Sequence, residues 1–298
     1  MSKISFIKSD ERKYNIERCL SLIKSEITGN LKNAKSVVIK PHCALSNQRN
    51  SSTSLEVLEA VLAFIKPHTK SQIILAEGVQ GGDTLTAFKN LGYFTLQEKY
   101  DFAVIDLNQD QYQTLDLLDA KGQTWPGQIA HTLLRSDYLI SLSPMQFDRE
   151  IVYAGAIKNI IEEPLSRHHE GIGTKLIHML GLAKNTNQPE KELKTLHQNI
   201  QRVYDLKAPN LAIIDGYELL TDEGALSRTL PLHLAIASSD PIAADWLACQ
   251  MIGLEMKEVG YLSLLEEAEE DKTDYFVVGD PWQKQAALIK QRLAHGRR

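Results

Sequence analysis

The sequence predicts an α/β protein built on a mainly parallel sheet with helices on both faces. Three observations carry this: short β-branched apolar runs recur along the chain, stretches with a one-sided apolar stripe lie between them, and polar residues follow the runs directly. At 298 residues the chain is long enough for a real core, and one α/β unit over residues 1–298 is the simplest organisation. A two-lobed form with a cleft fits the same pattern.

The runs Ser36–Lys40, Gln72–Ala76, Phe102–Asp106, Tyr138–Leu142 and Leu211–Asp215 are almost continuously apolar, as strands covered on both faces are. Ile4–Ile7, Leu234–Ser238 and Tyr275–Val278 are weaker strand candidates, expected at sheet edges or in a second layer. A helix begins at Ser54, carries Leu55, Leu58, Val61, Leu62 and Ile65 on one stripe, and stops at Pro67. Another, about Glu190 to Tyr204, shows Leu193, Leu196, Ile200 and Val203 as a single seam. Asp240-Pro241 reads as an N-cap with proline in the first turn, opening a helix that ends at Gly253. A last helix runs from about Pro281 to Leu293. The polar stretch Lys184–Glu190 is the best linker candidate, and no internal repeat is present.

Composition narrows the class. Apolar residues at 43% and charged residues at 24% exclude collagenous, coiled-coil and largely disordered chains. Thirty-three basic against thirty-eight acidic residues give a net charge of -5, which argues against a nucleic-acid partner. Cys19, Cys43 and Cys249 form no Cys-x-x-Cys pair, so this chain alone predicts no Cys-ligated metal or cluster. The N-terminus lacks a signal-like apolar run, and the most apolar stretch, Leu232–Leu254, contains Asp240, Pro241 and Asp245. A cytoplasmic protein with no membrane partner is therefore the expectation.

Residues that follow parallel strands face a common crevice, and polar groups recur there. Lys40 and His42 follow one run, Glu77 and Gly78 another, and Asp215 a third. Glu77-Gly-Val-Gln-Gly-Gly-Asp-Thr84 is a glycine-rich strand-to-helix turn. The backbone at Gly78, Gly81 and Gly82 could hold an anion, although a tight turn with a helix cap fits equally well, and no nucleotide-binding spacing is met. Lys158 and Asn159 stand in the otherwise apolar stretch Ala154–Ile161. A buried ammonium there needs an internal carboxylate such as Asp215 or Glu77, or an anionic ligand, which is the leading reading; snorkelling from a helix edge would leave the stretch structural. Arg167, His168 and His169 form the densest titratable cluster, suited to anion binding or proton transfer more than to metal. Asp240 has a capping role to fill, whereas Asp245, one turn into its helix, needs a partner. Cys249 reads as a small core residue.

In order, Val38-Ile-Lys-Pro41, Glu77-Gly78, Ala156-Ile-Lys-Asn159, Arg167 with His168 or His169, Ile213-Ile-Asp-Gly216, Ala237-Ser-Ser-Asp-Pro-Ile-Ala-Ala-Asp245 and Ile252-Gly253 resemble the domain of unknown function 362 family over about residues 37–280. The resemblance implies a redox association, since many members carry iron–sulfur modules, and this chain carries none. The family's Pro-Lys-x-Lys-x-His after the fourth strand stands here as Pro144-Met-Gln-Phe-Asp-Arg149, which removes cations from the expected crevice.

The leading expectation is a small anionic metabolite or cofactor bound in a strand-end cleft, in an enzyme or an enzyme's accessory subunit. Lys40, His42, Glu77, Lys158, Asn159, Arg167 and His169 would bind it, and Asp215 or His168 would move a proton. The alternatives are a non-catalytic binding or assembly protein, with a protein partner or a second copy of itself, and a metal-dependent enzyme using His42, His169 and Asp215. No motif specifies a cofactor.

Overall fold

The structure, a computed structural model, describes residues 1–43, 51–79, 82–119, 122–148, 151–166, 189–221, 229–268 and 274–296. Its strands are β1 (Ser2–Lys8), β2 (Val37–Pro41), β3 (Ile73–Glu77), β4 (Phe102–Asp106), β5 (Tyr112–Leu118), β6 (Thr124–Ala130), β7 (Tyr138–Asp148), β8 (Val152–Ala154), β9 (Leu211–Leu220), β10 (Thr229–Ser238) and β11 (Tyr275–Gly279). The α-helices are α1 (Arg12–Leu22), α2 (Lys24–Asn33), α3 (Leu55–Ile65), α4 (Thr84–Leu91), α5 (Gln97–Tyr100), α6 (His131–Leu134), α7 (Ala156–Ser166), α8 (Pro189–Leu206), α9 (Pro241–Ile252), α10 (Gly260–Ala268) and α11 (Trp282–Gly296).

Nine strands form one sheet in the order β11-β1-β10-β9-β7-β2-β3-β4, with β8 pairing the end of β7. β10 and β8 run against the rest, so the sheet is mainly parallel, as the near-continuous apolar runs predict. Alternate residues of each strand feed opposite layers. Val37 and Ile39 join the core beneath α1 to α4, and Val38 joins the one on the other face. Ile157, Leu196, Leu247, Leu262 and Ile289 bring α7 to α11 onto that second side.

The chain steps outward from β2 to β3 to β4 and then returns to place β7 on the other flank of β2. The direction of winding therefore reverses between β2 and β7, and the carboxyl ends of this strand pair mark the crevice of the fold. β5 and β6 form a separate hairpin. It is fixed to α8 by Asn199, which donates to Leu118 O and accepts from Leu118 N, both at 2.8 Å.

The expected caps are in place. Ser54 Oγ accepts from Val57 N, and Asp240 accepts from Ala243 N at 3.1 Å, with Gly253 ending α9 at φ +85. Among the described residues no helix is long and apolar enough to cross a membrane. Of the predicted linker, 184–188 lie outside the described residues, and 189–190 open α8.

Candidate functional site

Lys40 is the penultimate residue of β2, and parallel pairing sets it beside Ser141 of β7. Its ammonium lies 2.6 Å from Glu77 Oε1 at the end of β3, with the two side chains 2% and 5% exposed. Asn159 of α7 closes the group. Its Oδ1 is 3.4 Å from Lys40 Nζ, and its Nδ2 donates to Lys40 O and to Ser141 Oγ, both at 3.1 Å. Ser141 Oγ in turn donates to Ala156 O at 2.7 Å. The second carboxylate oxygen of Glu77 accepts from Cys43 N at 3.1 Å, and the first also accepts from Gly78 N at 2.9 Å. Four segments that are distant in sequence thus share one buried network at the point where the winding reverses.

Lys158 leaves α7 about 100° around the helix from Asn159. It is 21% exposed, and its ammonium is 3.7 Å from Asp148 Oδ2 at the end of β7. The sequence offered Asp215 or Glu77 as internal partners for this lysine beside an anionic ligand; the carboxylate found beside it is Asp148, while Glu77 is paired with Lys40 and Asp215 with Arg12. Among the described residues of the region Lys158 is partly open, whereas Lys40 is enclosed.

The helix that carries both residues is anchored by Asp245, the carboxylate that needed a partner. Asp245 of α9 is wholly buried and accepts from Ala156 N at 2.8 Å and Ile157 N at 3.1 Å, capping α7 from another element. Tyr153 OH donates to the same carboxylate at 3.3 Å. Burial pushes the Asp245 carboxyl up to about 7, against the pull of these donors. A side chain at Gly155 would collide with Asp245 Oδ1 and Tyr153 Oη, so this approach requires glycine.

Several expected members stand elsewhere. Asp215 is not beside Lys40: it lies two strands over, on β9, and Arg12 of α1 binds its Oδ2 through Nε at 2.9 Å and Nη2 at 2.5 Å. Of the proposed His42, His169 and Asp215 metal set, His169 lies outside the described residues. No group of three potential ligands occurs among the described residues. His42 follows β2, where its backbone pairs with Thr53. Two donors of the glycine-rich turn are bonded within it, Gly78 N to Glu77 and Val79 N to Thr84 Oγ1, and Asp83 caps α4 by accepting from Thr86 N. Gly82 follows within the turn, with Val79 Cγ1 against it. Gly81, Arg167, His168 and His169 lie outside the described residues.

Sequence reasoning missed Arg12, Ser141 and Asp148. Arg12 is 203 positions from Asp215, and nothing local marks it as a partner. Ser141 had a signal, a hydroxyl inside an apolar strand that needs a bond. Burial and the nearby Glu77 charge push the Cys43 thiol well up, so it supplies no thiolate at neutral pH.

A mainly parallel α/β protein with a buried polar network at its winding reversal is the class this geometry defines. The chain belongs to the DUF362 family, a domain of unknown function, whose sequence pattern matches residues 37–250. No curated protein matches it. Similar solved structures include the lactate racemase apoprotein from Thermoanaerobacterium thermosaccharolyticum, at 15% identity and TM-score 0.45, covering 87% of this chain and 57% of that one. A protein from Thermotoga maritima is similar at 10% identity and TM-score 0.48, covering 96% of this chain and 60% of that one. The chain spans less than two thirds of the length of either, and likenesses this distant say nothing of function.

Proposed function

We propose that the chain binds a small anionic metabolite or cofactor over the carboxyl ends of β2, β3 and β7, with Lys158 as the contact for its charge. The observation that carries this reading is the Lys40–Glu77–Asn159 network. A buried ion pair gains little over apolar residues of the same volume, so folding alone gives weak reason to keep one at the mouth of the crevice. Held by Asn159 and two backbone N–H groups, it forms a rigid polar floor. Lys158 stands on the same helix, close to solvent.

Met145 and Phe147, which replace the two lysines of the family pattern, belong to the apolar core and its margin. The ligand is accordingly one of fewer negative charges than the two additional lysines would hold. The same replacement supports a second reading, a binding or assembly protein without catalysis.

The test is a thermal-shift screen of the purified chain with inorganic phosphate, pyrophosphate, malate and citrate, joined to mass spectrometry of co-purifying small molecules. Wild type is expected to gain melting temperature with at least one anion, and Lys158→Ala to lose that gain while keeping its own cooperative transition. A flat screen with nothing co-purifying favours the assembly reading.

A further inference from the structure

A second concavity lies far from the crevice, at the opposite end of the strand order, where β11 forms the sheet edge beside β1. It has a volume of about 450 Å³ and is lined by Trp246 of α9, Tyr275 and Phe276 of β11, and Asp280, Trp282 and Gln283 around the start of α11. Its walls are aromatic and differently oriented. Trp246 lies 4.8 Å from Tyr275, with ring planes 42° apart, and 5.6 Å from Trp282 at 71°. Trp246 thus packs directly against both Tyr275 and Trp282, and the three rings together form an aromatic wall of an open hollow.

Charge selects among ligands. Among the described residues Asp280 is the one charged side chain in the lining. Asp280 Oδ2 accepts from Lys8 N at 2.8 Å, and among the described residues the carboxylate makes no salt bridge. Lys8 Nζ is directed instead to Leu232 O. Among the described residues the cation–π contacts are Arg12 on Tyr217 and Lys99 on Tyr100, and neither Trp246 nor Trp282 carries one. An aromatic face is negative at its centre, and several such faces with one carboxylate favour a large, weakly hydrated cation over a neutral group of the same shape.

We propose that the Trp246–Tyr275–Trp282 pocket binds a small organic cation of the quaternary-ammonium class, with Asp280 supplying the counter-charge. The site is independent of the crevice and of the anion expected there.

The experiment titrates the full chain with choline chloride at constant ionic strength, reading tryptophan fluorescence and calorimetry. The control ligand is the neutral tert-butyl isostere, in which carbon replaces the quaternary nitrogen. Choline is expected to give a saturable signal and to bind about tenfold more tightly than the isostere. Asp280→Asn keeps an acceptor for Lys8 N and should reduce the preference for the cation, and Trp282→Leu should abolish binding. Equal affinity for the two ligands, or no saturable response to choline, overturns the proposal. So does a fluorescence change that follows protein concentration instead of choline, which would make this sheet edge a surface for a second copy. Asp280→Asn, which leaves the apolar packing untouched, decides the matter if Trp282→Leu fails to fold.

Discussion

The Lys40 ammonium and the Glu77 carboxylate meet at 2.6 Å with almost no exposure, yet their surroundings are unequal. Glu77 also receives the N–H groups of Cys43 and Gly78, whereas the ammonium has only Asn159 Oδ1 besides its carboxylate among the described contacts. Removing the acid therefore strands a charge more completely than removing the base. Glu77→Ala should cost about 3–5 kcal/mol in urea unfolding, and Lys40→Met distinctly less. Equal losses would show that the two N–H donors do not hold the carboxylate.

Asp245 predicts a pH dependence. Burial raises its carboxyl from the ordinary value of 3.8 to about 7 in the folded chain. Between those values the native state binds more protons than the unfolded one, so stability falls as pH rises through that window. The penalty is absent below 3.8 and complete above about 7. The groups that face it, Tyr153, Tyr261 and Cys249, are themselves pushed up and stay neutral there. Asp245→Asn loses one of the two capping bonds at the start of α7 but cannot ionise. Unfolding free energies measured from pH 4 to 8 should decline less steeply in the variant, and parallel profiles would assign the decline to other groups.

Five strands were legible because burial on both faces leaves an unbroken apolar run, whereas Ile4–Ile7 and Leu234–Ser238, expected at edges or in a second layer, are the interior strands β1 and β10, and only β11 of the weaker three is an edge. All five such runs lie in the parallel sheet, and β4 has its expected bounds. α1 and α2 escaped notice because their apolar residues are diluted: Arg12–Leu22 buries only Asn15, Ile16, Cys19 and Leu20. β5 escaped because its residues are mostly exposed and its one fully buried residue, Leu117, is no periodicity. At the site, Lys40, Glu77 and Asn159 were legible as polar residues at strand ends or in apolar surroundings. The position of Asp215 was not, because its carboxylate is claimed by Arg12 from an element with no sequence proximity. Local pattern reports which side chains need partners, and only the sheet order decides which partners they receive.

The Arg12–Asp215 clasp ties α1 to β9, and the arginine also lies 5.4 Å above the Tyr217 ring. Nearby acids and the bond to Asp215 together hold the guanidinium charged despite its burial. Arg12→Ala leaves a carboxylate with 2% exposure facing no cation in that clasp, and about 3–5 kcal/mol of stability should be lost. Asp215→Asn should cost less and leave the anion-dependent thermal shift unchanged. Loss of that shift without loss of stability would return Asp215 to the binding site.

Restoring the family's two lysines separates their positions physically. Met145 is wholly enclosed, and its Cε would sit 3.3 Å from a Cβ placed on Gly216, so a lysine there has no aqueous outlet nearby. Phe147 is only partly buried, packed at the margin of the same core and paired with Tyr153 of β8. A lysine at that position can run its methylenes along apolar surface and carry its charge to water. Met145→Lys should therefore lose several kcal/mol or fail to fold, and Phe147→Lys should remain within about 1–3 kcal/mol of wild type in urea unfolding. If Met145→Lys is instead as stable as wild type and gains affinity for pyrophosphate, the strand end is more open than this packing allows, and the crevice extends over β7 as far as β9.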